Sequence, residues 1–461
     1  MRVSRKEVTS ASHCVPEVRF EDQELTSFGG LFLLQALIKE IDLRARLRAA
    51  FRHLSPQGAY SASRIALLMI VHLFLGWRRL RDLDYYKTDP LVKRVVGLER
   101  MPDVSTVSRR LTQFDETAIT NFRGLLREIV STRAIEASPR LLTLDFDGSV
   151  LSTKARGIEG TAVGYNTKKK GARSYYPLFA VLAQTGQVFD VLHRPGNCHD
   201  SRGAREFILD CQESLRDAGF HGTFEVRLDS AHYSDATCIG LHDAGIEFSM
   251  SVPFERIPHL KDIVAARRLW LPIDEDWSYF SWSWRPNAQS RRSFPCVIYR
   301  HRVAKPRQGP IQLDLFEPIE RDHEYKVVMT NKRLSAAALL HFHNGRGSQE
   351  ATFAEVKSQI ALGYLPSRRQ VANQVYTLCN LLAHALGREL QMRAAPRRTS
   401  KNTAARACLW AIERIDTIRK RLIQRAARIT RPQGRLVLTF AKAPEAERDF
   451  RSLLHALTLA A

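Results

Sequence analysis

From residue 26 to about 130 apolar residues recur every three or four positions, beginning with Leu31, Leu33, Leu34, Leu37, Ile38 and Ile41 and continuing through Ile65 to Leu80. No two-residue alternation interrupts them, so this stretch is predicted to be helical. Within it, Met101-Pro102-Asp103 reads as a turn and N-cap, and Val104 to Leu111 as a helix with Ser105, Thr106, Arg109 and Arg110 facing outward. Short polar side chains and arginines on an exposed helix are what a recognition helix offers to bases and phosphates. An ordinary capped surface helix has the same pattern.

At Leu141 the period changes. Short apolar runs, LLTLDFD, SYYPLFAVLA (174–183) and QVFDVLH (187–193), predict three successive strands. A helix from Ala204 to Ala218, the strand FEVRLD (224–229), a helix near Ala236 to Ala244 and the strand EFSMSV (247–252) follow. Three strands, helix, strand, helix, strand is the order of an α/β fold with a mixed sheet and flanking helices. Between about 263 and 322 alternating aromatics, then Pro, Gln and Arg clusters and CVIYRHRV (296–303), suggest a β-rich insertion. EYKVVMTN (324–331) resumes the buried-strand pattern and helices are expected from Ala336 to Met392. Further on, Leu409, Ile412, Ile415, Ile418 and Leu422 suggest one more amphipathic helix, basic on its outer face.

Composition narrows the class of partner. Lys plus Arg number 70 against 48 Asp plus Glu, a net charge of +22 over 461 residues, which favours a polyanion such as nucleic acid. Thirteen of these cations lie between Arg393 and Arg435, opposed only by Glu413 and Asp416, and are read as a solvated basic face or as contacts to DNA phosphates. The seven cysteines are scattered without a C-x-x-C pair, so neither a disulfide framework nor a zinc site is expected, in keeping with a reducing cytoplasm. The N-terminus lacks the apolar core of a secretory signal, and the run from Ile65 to Leu75 is too short to cross a bilayer. A soluble protein is expected.

Candidate chemistry rests on carboxylates. Asp145 and Asp147 alternate on the first strand and share a side; Asp229 ends the fourth; Glu350 stands near the start of a helix. Carboxylates hold Mg²⁺, and two such ions roughly 4 Å apart serve both oxygens of an in-line phosphodiester displacement. On a continuous helix Arg346, Glu350 and Lys357 share one face, whereas Glu355 turns away.

His343-x2-Arg346-x3-Glu350-x6-Lys357 carries the spacing of a Tyr-Arg-Glu-Lys signature with His in the Tyr position. Asp147-Gly148-Ser149, the run Asp229 to Ser234, the loop Arg194 to Asp200 and the basic turn Gly164 to Gly171 add to the match. Over about residues 100 to 440 the chain thereby resembles the DDE transposases of bacterial insertion sequences, in the cut-and-paste branch. The resemblance implies an RNase H-like catalytic fold with a β-rich insertion between the second Asp and the Glu. It also implies Asp147, Asp229 and Glu350 as catalytic metal ligands, with Asp147 preferred to Asp145 for its Gly-Ser context, two Mg²⁺ ions, with Mn²⁺ substituting, and His343, Arg346 and Lys357 as DNA contacts. In this family the insertion offers an aromatic to a flipped base, for which Trp282 and Trp284 are candidates beside the plainer role of packing a small core. Expected partners are double-stranded DNA, as terminal inverted repeats and target, and a second copy of the chain; the expected location is the bacterial cytoplasm, at the nucleoid when DNA-bound. The expected organisation is a helical DNA-binding region (1–135), a catalytic core in two parts (136–262 and 323–392) around the insertion (263–322), and a basic C-terminal region (393–461). A transposase-derived repressor without catalysis and a nuclease on the same fold are the rival readings.

Overall fold

The computed structural model describes residues 17–54, 60–164, 166, 169–285, 292–303, 323–398 and 403–459. The extreme N-terminus, most of the Pro, Gln and Arg clusters of the insertion, Tyr165, Thr167 and Lys168 of the basic turn, and residues 399–402 of the basic stretch lie outside them.

Among the described residues six α-helices precede the main sheet: α1 (Leu31–Glu40), α2 (Leu43–Ala50), α3 (Ala62–Phe74), α4 (Pro90–Val96), α5 (Val104–Leu111) and α6 (Glu116–Ala137). In α5 Val107 and Leu111 are buried while Ser105 and Arg109 are exposed and Thr106 and Arg110 half-buried, the outward face expected of it. Residues 65–74 of α3 are all buried.

Among the described residues nine strands form one sheet: β1 (Leu141–Gly148), β2 (Leu178–Leu182), β3 (Gln187–Leu192), β4 (Thr223–Leu228), β5 (Glu247–Ser251), β6 (Leu271–Pro272), β7 (Trp277–Trp284), β8 (Phe294–Arg302) and β9 (His323–Thr330). Their spatial order is β6-β7-β8-β9-β5-β4-β1-β2-β3. The pairs β1/β4 and β4/β5 are parallel, bridged in sequence by α7 (Ala204–Asp217) and α8 (Asp235–Asp243), and the rest are antiparallel. The five strands β5-β4-β1-β2-β3 at one end, with their crossover helices, make the RNase H-like sheet. The aromatic-rich strands expected as an insertion extend this sheet through β9. The expected strand at 174–183 is broken at Pro177: Arg173–Tyr175 pairs instead with Leu151–Thr153 and Ala162–Val163 in a small separate sheet. Proline cannot donate to a ladder.

Parallel register gives the central strands two unlike faces. Leu142, Leu144 and Phe146 with Phe224, Val226 and Leu228 line one, all buried. The other is polar and buried too: Thr143 lies beside Glu225 and Asp145 beside Arg227. Thr143 Oγ1 donates to Glu225 (2.8 Å), whose carboxylate also accepts from Lys332 Nζ (2.5 Å) and Arg406 (2.9 and 3.0 Å). Arg227 clasps Asp145 through Nε (2.5 Å) and Nη2 (2.7 Å). Its Nη1 donates to the carbonyls of Phe342 (3.0 Å) and Ala405 (2.8 Å).

Helices α9 (Ala336–Asn344), α10 (Ser348–Gln359) and α11 (Gln370–Ala394) follow β9. α11 is buried along most of its length, including a polar stripe of Asn373, Thr377, Asn380, His384 and Arg388. It packs on α3 and α6, and one contiguous apolar core runs from Phe28 to Leu457. A second tie joins helices to sheet, where Arg123 (2.6 and 2.9 Å) and Arg127 hold the buried Asp190 of β3.

Two helix expectations are corrected. Residues 343–357 are not one α-helix: α9 ends at Asn344 and Gly345–Gly347 forms a 3₁₀ turn before α10. The tight turn follows from packing, because a Cβ at Gly345 would run into the carbonyl oxygen of Ala405 and the guanidinium of Arg227. The apolar repeat from Leu409 to Leu422 does not form one helix either. Leu409 donates its N–H to Gln184 O (2.8 Å) and its carbonyl accepts from Arg398 (2.6 Å), and only Ile415–Ile418 and the wide turn Arg419–Ile423 are helical. Backbone pairing with the core overrides the period there. Much of the basic stretch is also spent internally. Arg419 is buried and donates to the carbonyls of Phe74 (2.6 Å) and Leu73 (2.8 Å) at the end of α3, Arg393 pairs with Glu40 and Glu389, and Arg421 with Asp449.

Removing one partner of the clasp leaves a buried, unpaired charge, so Asp145→Ala should lower the unfolding free energy by about 3–5 kcal/mol. Urea unfolding of the variant beside wild type measures this, and a change below about 1 kcal/mol would show that Arg227 is satisfied without Asp145.

Candidate active site at the ends of the parallel strands

The polar ladder continues one step beyond its last paired rung. Asp147 is two residues after Asp145 and Asp229 two after Arg227, so the next side chains on that face are two carboxylates, about one-quarter exposed where the strands run out. Asp229 is fixed by capping the 3₁₀ turn Ser230–His232, its Oδ1 accepting from Ala231 N (3.1 Å). That turn carries His232 back beneath it, fully buried, with Nε2 3.7 Å from Asp229 Oδ1. One ligand atom from each of Asp147, Asp229 and His232 lies within 4.8 Å of the others. Gly148 leaves room for the Tyr176 ring, which a Cβ there would strike.

The loop from Arg194 to Asp200 is organised by one guanidinium. Arg194 donates to the carbonyls of Tyr176 (3.1 Å), His199 (3.4 Å), Asp200 (2.9 Å) and Arg202 (3.1 Å) and lies over the Tyr176 ring. This brings Asp200 to the site, and its carbonyl meets His232 Nδ1 (3.2 Å).

Arg346 sits in the 3₁₀ turn with Nη1 3.9 Å from Asp147 and 3.8 Å from Asp229. Gln349, buried in the first turn of α10, turns its amide toward Asp147 (3.5 Å). Burial, together with the facing Asp229, pushes the Asp147 carboxyl up to about 7, against the pull of Arg346. Burial outweighs the neighbouring carboxylates at His232 and lowers its pKa, keeping the ring neutral.

The other expected residues fall in different surroundings. Glu350 is exposed in the first turn of α10 and is not in the cluster of Asp147, Asp229 and His232. Glu355 is buried on the far side, accepting from Arg388 Nη2 (2.5 Å) and the Ile415 amide (2.7 Å); burial pushes its carboxyl up, but His384, Arg388 and that amide outweigh it and hold it at about 2. His343 does not face outward: it is buried on β5, with Ser249 Oγ 3.0 Å from Nδ1 and Ser251 Oγ 2.8 Å from Nε2. Lys357 is half-buried on α10. Trp284 is half-buried and donates to Tyr233 Oη (3.1 Å), just past the Asp229 turn, while Trp282 on the same strand face is 37% exposed. His232, Gln349, Asp200 and Arg227 were not singled out from sequence, although the period of Glu225, Arg227 and Asp229 already marked a polar strand face.

A family model described as transposase DDE domain group 1 matches residues 9–267 and 316–461. The chain belongs to this transposase family. The unmatched residues 268–315 take in β6, β7 and β8. No curated protein matches the sequence. Among solved structures the transposase is similar to the piggyBac transposase in a synaptic complex with hairpin DNA, at 10% identity and TM-score 0.41 over 82% of this chain and 78% of that one. It is also similar to the Mos1 transposase in a paired-end complex with a left transposon end, at 13% identity and TM-score 0.17 over 42% and 59% of the two chains. No described helix of the transposase is long and apolar enough to cross a membrane.

Because the Asp147 carboxyl is raised in the folded protein to about 7, while an unfolded Asp ionises near pH ~4, its contribution to stability is present at low pH and lost as pH rises through about 7. A divalent cation needs the ionised carboxylates, so its stabilising effect should run the other way. The rise in melting temperature on adding Mg²⁺ should be larger at about pH 8 than at about pH 5.5, and Asp147→Asn should flatten that difference. Thermal unfolding of both proteins at the two pH values, with and without the ion, gives the answer.

Proposed function

We propose that the transposase cuts DNA at the ends of an insertion sequence and joins the freed ends to target DNA by a cut-and-paste route, using Mg²⁺, with Mn²⁺ substituting. The observation that carries this reading is the pair of facing carboxylates, Asp147 and Asp229, at the carboxyl ends of adjacent parallel strands in a chain of the transposase DDE family. The residues fit a divalent cation: burial and the facing Asp229 raise the cost of ionising Asp147, and the buried His232 Nε2 beside them has no hydrogen-bond partner among the described residues. Glu350, next to the Gln349 that reaches Asp147, is the third carboxylate in this reading. Bound there, the metal ions would activate a water or a 3′-hydroxyl and stabilise the leaving oxygen of the phosphodiester.

The chain's own part is placement and charge. Arg346 neutralises the aspartate pair while no cation lies between them, and is then available to a phosphate of the bound strand. Lys357 adds a second phosphate contact. The outward face of α5, with Ser105, Thr106, Arg109 and Arg110, is suited to a DNA groove. Trp282 presents an exposed ring for base stacking, whereas the Trp284 indole is engaged by Tyr233. Double-stranded terminal repeats and target DNA are the partners, with two copies of the chain holding the two ends. A nuclease on the same fold would cleave without joining, and a repressor would do neither.

The deciding assay uses a labelled duplex of the element's terminal repeat, with cleavage and joining followed in Mg²⁺ and binding by gel shift in Ca²⁺. Asp147→Asn, Asp229→Asn and Glu350→Gln should each lower cleavage and joining by on the order of 10²-fold or more while binding persists. Full activity in either aspartate variant would overturn the assignment, and full activity of Glu350→Gln alone would move the third ligand elsewhere. Arg346→Ala should reduce the salt slope of binding by about one.

A further inference from the structure

We propose that His232 is a ligand in its own right, giving the cation site at Asp147 and Asp229 one nitrogen donor and with it a bias toward first-row transition ions over Mg²⁺. The inference rests on the reading that these two aspartates hold the metal. A carbonyl oxygen can only accept, so the contact of His232 Nδ1 with Asp200 O (3.2 Å) places the ring proton on Nδ1. The lone pair is then on Nε2. That atom is buried, has no hydrogen-bond donor among the described residues, and lies 3.7 Å from Asp229 Oδ1.

A buried acceptor facing two carboxylates, with no donor between, costs about 1–3 kcal/mol as it stands. A cation removes the cost by accepting all three electron pairs. The three ligand atoms lie within 4.8 Å of one another; bonds of about 2.0–2.2 Å to a single ion hold its ligands no more than about 4.4 Å apart, so the side chains draw together slightly around it. Behind the ring stands the support that metal-binding histidines have, an N–H donated to a carbonyl. That carbonyl is itself fixed, since Asp200 O also accepts from Arg194 (2.9 Å). The turn supplies the rest: Asp229 caps the segment that carries His232, so the two ligands are placed by one backbone feature. Imidazole nitrogen binds first-row transition ions far better than it binds Mg²⁺, which prefers oxygen.

The test uses the full-length protein and the metal alone. Electron spin echo spectroscopy of the Mn²⁺-loaded wild type should show ¹⁴N coupling from a directly bound imidazole, and His232→Asn, which keeps a donor for the Asp200 carbonyl, should abolish it. Titration calorimetry should find Mn²⁺ affinity lowered about tenfold or more in His232→Asn, with Mg²⁺ affinity changed by less than about threefold. Mn²⁺ bound to the wild type without ¹⁴N coupling overturns the proposal even if the variant does not fold, and equal losses for the two ions also overturn it. Asp147→Asn separates the two levels: unchanged Mn²⁺ affinity there overturns the reading of the aspartates themselves, whereas Mn²⁺ binding that needs Asp147 but shows no nitrogen overturns only the role of His232.

Discussion

The clasp of Arg227 on Asp145 is the constraint on which the rest of the site depends. A buried guanidinium must be paired and its remaining donors satisfied, and among the described residues the acceptors that complete Arg227 are carbonyls at the end of α9 and at Ala405. One strand side chain therefore decides where the end of α9 and the segment carrying Ala405 meet the sheet. Gly345 is bound by the same contact, because nothing larger fits between Arg227 and Ala405. With the chain pinned there, the next residue, Arg346, is delivered over Asp147 and Asp229.

The other buried charges repeat this logic on a larger scale. Glu225 gathers Lys332 and Arg406 from distant segments, Asp190 gathers Arg123 and Arg127 from α6, and Glu355 gathers Arg388 from α11. Arg419, by contrast, donates to the carbonyl end of α3, where the helix dipole favours a cation. A net charge of +22 is thus not a measure of exposed positive surface, since many of these cations work as interior fasteners.

Strand periods were legible because the central strands are apolar on one face and polar on the other, and β1, β4, β5 and β9 fall within two residues of their expected ends. Asp147 and Asp229 were legible for the same reason, being the last members of period-two series. What the sequence could not display were partners far away in the chain. Arg227 answers Asp145 across 82 positions and Ala405 across 178, and no local pattern encodes either. The same holds for His343, which the resemblance implied as a DNA contact while Ser249 and Ser251 draw it inward. Helical periodicity at Leu409 to Leu422 misled because Ile415, Ile418 and Leu422 are indeed buried and Leu409 and Ile412 half-buried, but on an extended and turned backbone held at Leu409 by Gln184.

The acceptor at Ala405 has a further meaning for the order in which the molecule is made. A growing chain carries both aspartates long before it carries the oxygen that completes Arg227, and the short strand Leu25–Thr26 waits for Ala427–Thr430. Until the chain has grown past Ala405, α9 is seated on the sheet through Phe342 O and His343, and the contact that closes over Gly345 is missing. A product ended before Ala405, though it holds both aspartates and Arg346, therefore lacks the interior oxygen packed against Arg227 and Gly345, next to Arg346.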